Sequence, residues 1–170
     1  AREHLKAQQQ YGEAVPYFAL EQALVDDPAR KIALFRDEAE VRRRGGDLAG
    51  ATQALRTARN FQPDDVALMQ EIGSLVVERV ESGEPVPPNE RDEAAMLFVS
   101  LAEMYQGEYG MTYSVYALRA APAHDRAMQL ADYYATQLGR TAELGPQYAA
   151  YLQTNPNGFM AGEARQKVGN

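Results

Sequence analysis

Between Asp47 and Pro63 the apolar residues Ala51, Leu55 and Ala58 fall three and four positions apart, the spacing that turns one face of an α-helix towards a core. Pairs of a large and a small residue recur further on, at Ile72-Gly73, Leu101-Ala102 and Leu130-Ala131, and the last two are followed by Tyr105 and Tyr134. Stop and start signals divide the chain into helices near 1–10, 13–26, 29–44, 47–61, 64–82, 90–106, 109–121, 123–138, 141–154 and 158–168. Pro16 is expected in a first helical turn and Asp47 and Asn89 as N-caps, while Gly45, Gly139 and Gly158 supply the permissive backbone of helix ends. Leu, Ala, Glu, Gln and Arg are plentiful, and Val, Ile and Thr are sparse. That balance favours helix, and no β-sheet is expected.

Prolines punctuate this pattern. Pro28, Pro63, Pro122 and Pro156 each follow an Ala-containing or Tyr-containing helical segment; Pro28 and Pro63 lie 35 residues apart, and Pro122 and Pro156 lie 34 apart. A helix-turn-helix repeat of about 34 residues has this period. Between the first two prolines, Gly46-Asp47-Leu48 marks an inter-helix turn, followed by Ala51, Leu55, Ala58 and Pro63. This stretch resembles the second half of the tetratricopeptide repeat. Its first half is weaker, with Phe35 and Ala39 acceptable but Glu38 where that family prefers Leu. The resemblance implies an all-α, right-handed superhelical solenoid of antiparallel helix hairpins, about nine to ten helices in a single domain over 1–170. Small side chains at Ala51, Ala58, Gly73, Ala102 and Ala131 would let backbones approach, with Leu55, Phe98 and the tyrosines filling the gaps. The stretch from Gly158 to Val168 would be a capping helix or the start of another repeat.

The middle breaks the rhythm. Pro63 and Pro122 lie 59 residues apart, short of two repeats, and the segment between them contains Pro85-Val86-Pro87-Pro88. Three prolines in four residues exclude helix there, so 82–89 is expected to be an irregular loop. Its PxxP spacing also fits a polyproline docking element, although a plain connection is the commoner use of such a segment.

Charge and composition narrow the function. A net charge of −7 and the lack of a clustered basic face argue against nucleic acid and against an anionic membrane surface. With no Cys in the chain, disulfides, thiolate zinc sites and cysteine nucleophiles are excluded. No run has the length of a membrane span, so no direct membrane insertion is expected. The start, Ala1-Arg2-Glu3-His4, is neither an initiator Met nor a signal peptide, which reads as an excerpt of a longer chain. Only Lys6, Lys31 and Lys167 are lysines, an Arg bias typical of a GC-rich bacterial gene. A soluble protein of the bacterial cytoplasm or cell envelope fits these features.

No catalytic constellation emerges. His4 and His124 are the only histidines, without acidic partners at ligand spacing, and His124-Asp125 suits a helix N-terminus. Phosphate-loop, nucleophile-elbow and His-Glu metal motifs are missing, so no enzyme, no cofactor and no metal is expected. Asp26-Asp27 and Asp64-Asp65 fall at repeat junctions, where they start helices. The Arg42-Arg43-Arg44 run before Gly45 complements a helix C-terminus.

In the tetratricopeptide family the concave groove is lined by the outward face of each first helix. The resemblance places Arg36, Asp37, Glu40, Arg43 and Arg44 there, and in the next repeat Gln70, Glu71 and Ser74. The Lys, Asn and Arg set with which some members clamp a terminal carboxylate is not reproduced. Tyrosines gather in the second half. Core packing accounts for Tyr105, Tyr134 and Tyr148, whereas Tyr109, Tyr113, Tyr116 and Tyr133 suit a core or an interface equally well. Arg36, Glu40, Arg43, Tyr109, Tyr113, Tyr116 and Tyr133 are the candidate partner-binding residues. A scaffold or adaptor for a protein or peptide is the leading expectation. The alternatives are a self-assembling module that forms a homo-oligomer, and a regulatory domain of a larger multi-domain enzyme.

Overall fold

The Asp27 carboxylate accepts the Arg30 amide at 2.8 Å and Pro28 takes the first helical position, so the chain enters a helix at that point. Proline costs nothing there because that N–H has no intrahelical partner. The computed structural model describes residues 1–169. Among them are ten α-helices and no strand: α1 (Arg2–Ala7), α2 (Tyr11–Ala23), α3 (Pro28–Arg44), α4 (Leu48–Arg59), α5 (Val66–Glu81), α6 (Pro88–Tyr105), α7 (Gly107–Ala120), α8 (Asp125–Gln137), α9 (Gly145–Thr154) and α10 (Ala161–Val168). None of these helices is long and apolar enough to cross a membrane. The chain forms two compact units, the first Ala1–Leu75 and the second beginning at Val76, so α5 runs through the boundary.

In the first unit α1 packs on α2, α2 on α3 and α3 on α4. Ala14, Phe18 and Val41 form a buried cluster, joined by Leu5, Tyr11 and Val15. Ala51, Leu55 and Ala58 are buried as their spacing predicts. Asp47 caps α4 by accepting the Gly50 amide at 2.9 Å, and it takes Arg42 at 2.6 Å as well. Glu38, where the resemblance would have Leu, is buried and satisfied: Gln22 donates to it at 2.8 Å and Arg42 at 2.7 Å. A carboxylate can replace Leu there because two donors accompany it.

The second unit pairs α6 with α7, α7 with α8, α8 with α9 and α9 with α10. It also brings next-but-one helices together, α6 with α8 and α7 with α9. Gly110 makes the approach of α7 to α8 possible, since a Cβ there would lie 2.7 Å from Cε2 of Tyr134. The Tyr134 hydroxyl reaches across and donates to the Ala102 carbonyl of α6 at 3.1 Å. From α9, the buried Tyr148 and Tyr151 donate to Asp132 and Asp125, two turns apart on α8.

Several expectations are corrected. The irregular loop ends at Pro87 rather than residue 89, because Pro88 opens α6. Asn89 therefore lies inside the helix and Pro87 holds the N-cap position. Arg79 is almost fully buried and clamps this connection, donating to Glu84 at 2.8 Å and to Glu90 at 2.7 Å. Pro16 is inside α2 and not in its first turn, since that helix starts at Tyr11. The first helix ends at Ala7, before Gln9 turns to a φ of +59°. Gly45 keeps a right-handed φ of −79°, and it is Gly46, at +82°, that supplies the left-handed turn. Gly139, at +68°, behaves as expected. Gly158 is needed for space, because a Cβ there would overlap the Tyr151 hydroxyl. The segment expected as a helix over 141–154 begins as a 3-10 turn, Thr141–Leu144.

Candidate binding groove

The outer face of α8 carries Arg126, Gln129 and Tyr133 at helical spacing, while its opposite face buries Ala127, Met128, Ala131 and Tyr134. His124 starts this helix by accepting the Ala127 amide on Nδ1 at 3.2 Å. Because α6 touches one flank of α8, Arg126 can reach Glu103, with 3.0 Å from Nε and 2.7 Å from Nη2. Its remaining nitrogen, Nη1, donates to Gln129 at 2.7 Å. This fork fixes the guanidinium in one plane. A concavity of about 430 Å³ lies here, with Glu103 of α6, Gln106 of the following joint, and Arg126, Gln129 and Tyr133 in its wall.

Gln106 has φ +52° and ψ −172°, a backbone region that belongs almost wholly to glycine. It is the single residue between α6 and α7, and the reversal between the two helices is made there together with Gly107, at φ +51°. Strain of this kind persists only where the surrounding packing imposes it.

A second concavity, of about 320 Å³, lies along the other flank of α8. Gln129, Asp132, Tyr133 and Gln137 face it from α8, and Phe159 and Glu163 face it from the start of α10. Gln129 and Tyr133 line both concavities, which therefore adjoin along α8. Tyr133 is 55% exposed and Phe159 76% exposed, large apolar surfaces left in water. Burial pushes the Tyr134 phenol beneath the groove above its ordinary value, and the nearby Glu103 carboxylate adds to the shift. Tyr148 is raised in the same way, by burial first and then by its hydrogen bond to Asp132. Both phenols stay neutral donors at ordinary pH.

Of the candidate residues, Tyr133 stands in this groove. Tyr109, Tyr113 and Tyr116 lie on α7 and line neither concavity. They form an aromatic ladder instead, in which Tyr113 and Tyr116 stack on the buried Phe98 at 6.3 and 5.4 Å. Tyr105 joins Tyr113 at 5.8 Å and Tyr109 at 6.5 Å. Tyr109 is 69% exposed, whereas Tyr113 and Tyr116 are half-buried. Tyr105, expected in the core, is 48% exposed because it is the last residue of α6. Tyr134 and Tyr148 are buried as expected.

In the first unit, Arg36 of α3 is held by Glu71 of α5, with Nε at 3.2 Å from the carboxylate. Glu40 pairs with Arg44 at 2.7 Å. Arg43 and Glu40 are exposed. Gln106, Gln129, Asp132, Phe159 and Glu163 escaped the sequence reading. Gln129 and Tyr133 flank the large-small pair Leu130-Ala131, one position back and three forward from Leu130, so that pair was the one local signal for two of these positions. Nothing comparable marks Phe159. The chain matches no known protein-family model, and no curated protein is significantly similar to it.

Proposed function

We propose that the chain is a tetratricopeptide-like helical-repeat scaffold that holds an extended segment of a partner protein along the outer face of α8. The supporting observation is the groove itself, two concavities that share Gln129 and Tyr133 and leave an aromatic ring in water. Its amides, Gln106, Gln129 and Gln137, can each donate and accept, which is what a peptide backbone requires. The solenoid reading draws on the helices that meet across an intervening one. Lys6 of α1 reaches Asp37 of α3 at 2.8 Å, Arg36 of α3 holds Glu71 of α5, and Arg126 of α8 holds Glu103 of α6. Hairpins stacked in a row make this kind of contact, each covering the open face of the last.

A photo-crosslinking residue at Tyr133 tests the proposal, with one at the exposed Gln153 as control. A crosslinked partner peptide from position 133 alone is the expected result. Equal labelling at both positions would remove the groove reading.

Self-association is a second reading, favoured by α2. Tyr17, Leu20 and Leu24, at and just beyond its C-terminal half, are exposed and share one side of the helix. Light scattering across a concentration series decides it, since a constant monomer mass would rule out the oligomer.

A further inference from the structure

We infer that the concavity between α8 and α10 receives a cationic side chain, the guanidinium or ammonium of an Arg or Lys carried by the bound segment. The inference rests on the groove reading above and adds the chemistry of one residue of the partner. Two exposed aromatic residues from different elements line this concavity, Tyr133 of α8 and Phe159 just before α10. Two carboxylates, Asp132 and Glu163, face it as well, and no basic residue lines it. A cation over an aromatic face is attracted by the ring quadrupole, and a carboxylate beside it supplies a charge-assisted acceptor.

The carboxylates differ in what they already do. Asp132 accepts the Tyr148 hydroxyl and has Lys167 at 3.7 Å, so much of its capacity is used. Glu163 is exposed and makes neither an ion pair nor a hydrogen bond among the described residues. Its place in the first turn of α10 also suits the helix dipole. That accounts for one carboxylate, but not for two exposed rings at the same concavity. Gln137 also lines the wall, and its amide can supply a further acceptor to a guanidinium. The space of about 320 Å³ suits one long side chain. On the other flank Arg126 is already committed to Glu103 and Gln129, so that half of the groove offers no comparable free acidity. A peptide lying along α8 would therefore place its positive charge at the α10 end.

The test uses the whole chain, immobilised, with pools of dye-labelled, end-blocked decapeptides. Each pool fixes one central residue, arginine, lysine, citrulline, leucine or glutamate, among randomised uncharged flanks. Citrulline keeps the shape of arginine and removes its charge. Retention is measured on the parent, Glu163→Gln, Phe159→Ala and Tyr133→Ala, with circular dichroism melts confirming that each is folded. The arginine pool should be retained about tenfold over the citrulline pool, and the ratio should fall towards unity in Glu163→Gln and shrink in Phe159→Ala. Equal retention of the arginine and citrulline pools, with all binding lost in Tyr133→Ala, overturns the cation inference and leaves the groove standing. An arginine preference unchanged by Glu163→Gln also overturns it, because the charge is then read elsewhere. If no pool is retained more by the parent than by Tyr133→Ala, the groove reading falls as well.

Discussion

The hydroxyl of Tyr151 on α9 donates to the carboxylate of Asp125 in the first turn of α8, joining the two helices at one end. That carboxylate also accepts Asn155 Nδ2 and the Phe159 amide, each at 3.2 Å, and the Tyr151 oxygen accepts the Met160 amide at 3.2 Å. One buried phenol thus helps fix the turn that presents Phe159 to the groove. Tyr151→Phe should lower stability by about 1–3 kcal/mol, since it strands a buried amide, and urea denaturation measures it. Gly158→Ala should weaken the same corner by pushing into the Tyr151 hydroxyl.

The close approach of α7 to α8 at Gly110 makes a second prediction. Ala would ordinarily strengthen a helix interior, but here its methyl meets the Tyr134 ring. Gly110→Ala should therefore destabilise the fold by about 1–3 kcal/mol. Combining it with Tyr134→Leu should recover part of the loss, and thermal melts of the two single variants and the double variant read the coupling.

Arg79 joins three segments through Glu84 and Glu90, and its own side chain is nearly dry. Replacing it by Ala removes the cation that Glu84 and Glu90 share. Because both are partly solvated, a cost of about 2–3 kcal/mol is expected rather than the full penalty of a buried pair. Limited proteolysis should show the cut first at 84–87, at a rate well above that of the parent.

The pH dependence follows from the tyrosines at high pH and from Asp47 at low pH. Tyr134, Tyr148 and Tyr151 all have raised pKa values, burial being the main cause in each. The folded chain therefore keeps protons that the unfolded chain releases above about pH 10, so stability is whole below that pH and falls as the pH rises. Tyr148→Phe should flatten the alkaline limb of a stability profile taken by urea titration. Burial alone would raise Asp47, but the Gly50 amide and Arg42 outweigh it and hold the carboxyl below its ordinary value. Its contribution is present above the unfolded pKa and is lost as the pH falls through the folded one. Asp47→Asn, which can still cap α4, should flatten the acid limb.

Helix positions were legible in the sequence because their signals are local. Asp27-Pro28, Asp47 and His124-Asp125 act within three residues of themselves, and each caps or opens a helix where the spacing places it. Buried small residues such as Ala51, Ala102 and Ala131 were legible for the same reason. The groove was less so. Its walls come from Glu103 and Arg126, 23 residues apart, and from Tyr133 and Phe159, brought together across α9. Such pairings depend on how far each helix is rotated about its axis, which no local signal in the sequence sets. Tyr113 and Tyr116, undecided between core and interface in the sequence, sit between the two in space, half-buried against Phe98.

The one-residue joint between α6 and α7 bears on how a chain of this kind can change over generations. Each residue of helix advances the chain by about 100° about its axis. Adding one residue at Gln106 would swing Gly110 away from Tyr134 and turn a bulky neighbour into its place. Descendants of this sequence should therefore keep the length of that joint. Insertions and deletions should collect instead at 85–87, between the Glu84 and Glu90 contacts of Arg79 and taking no part in them.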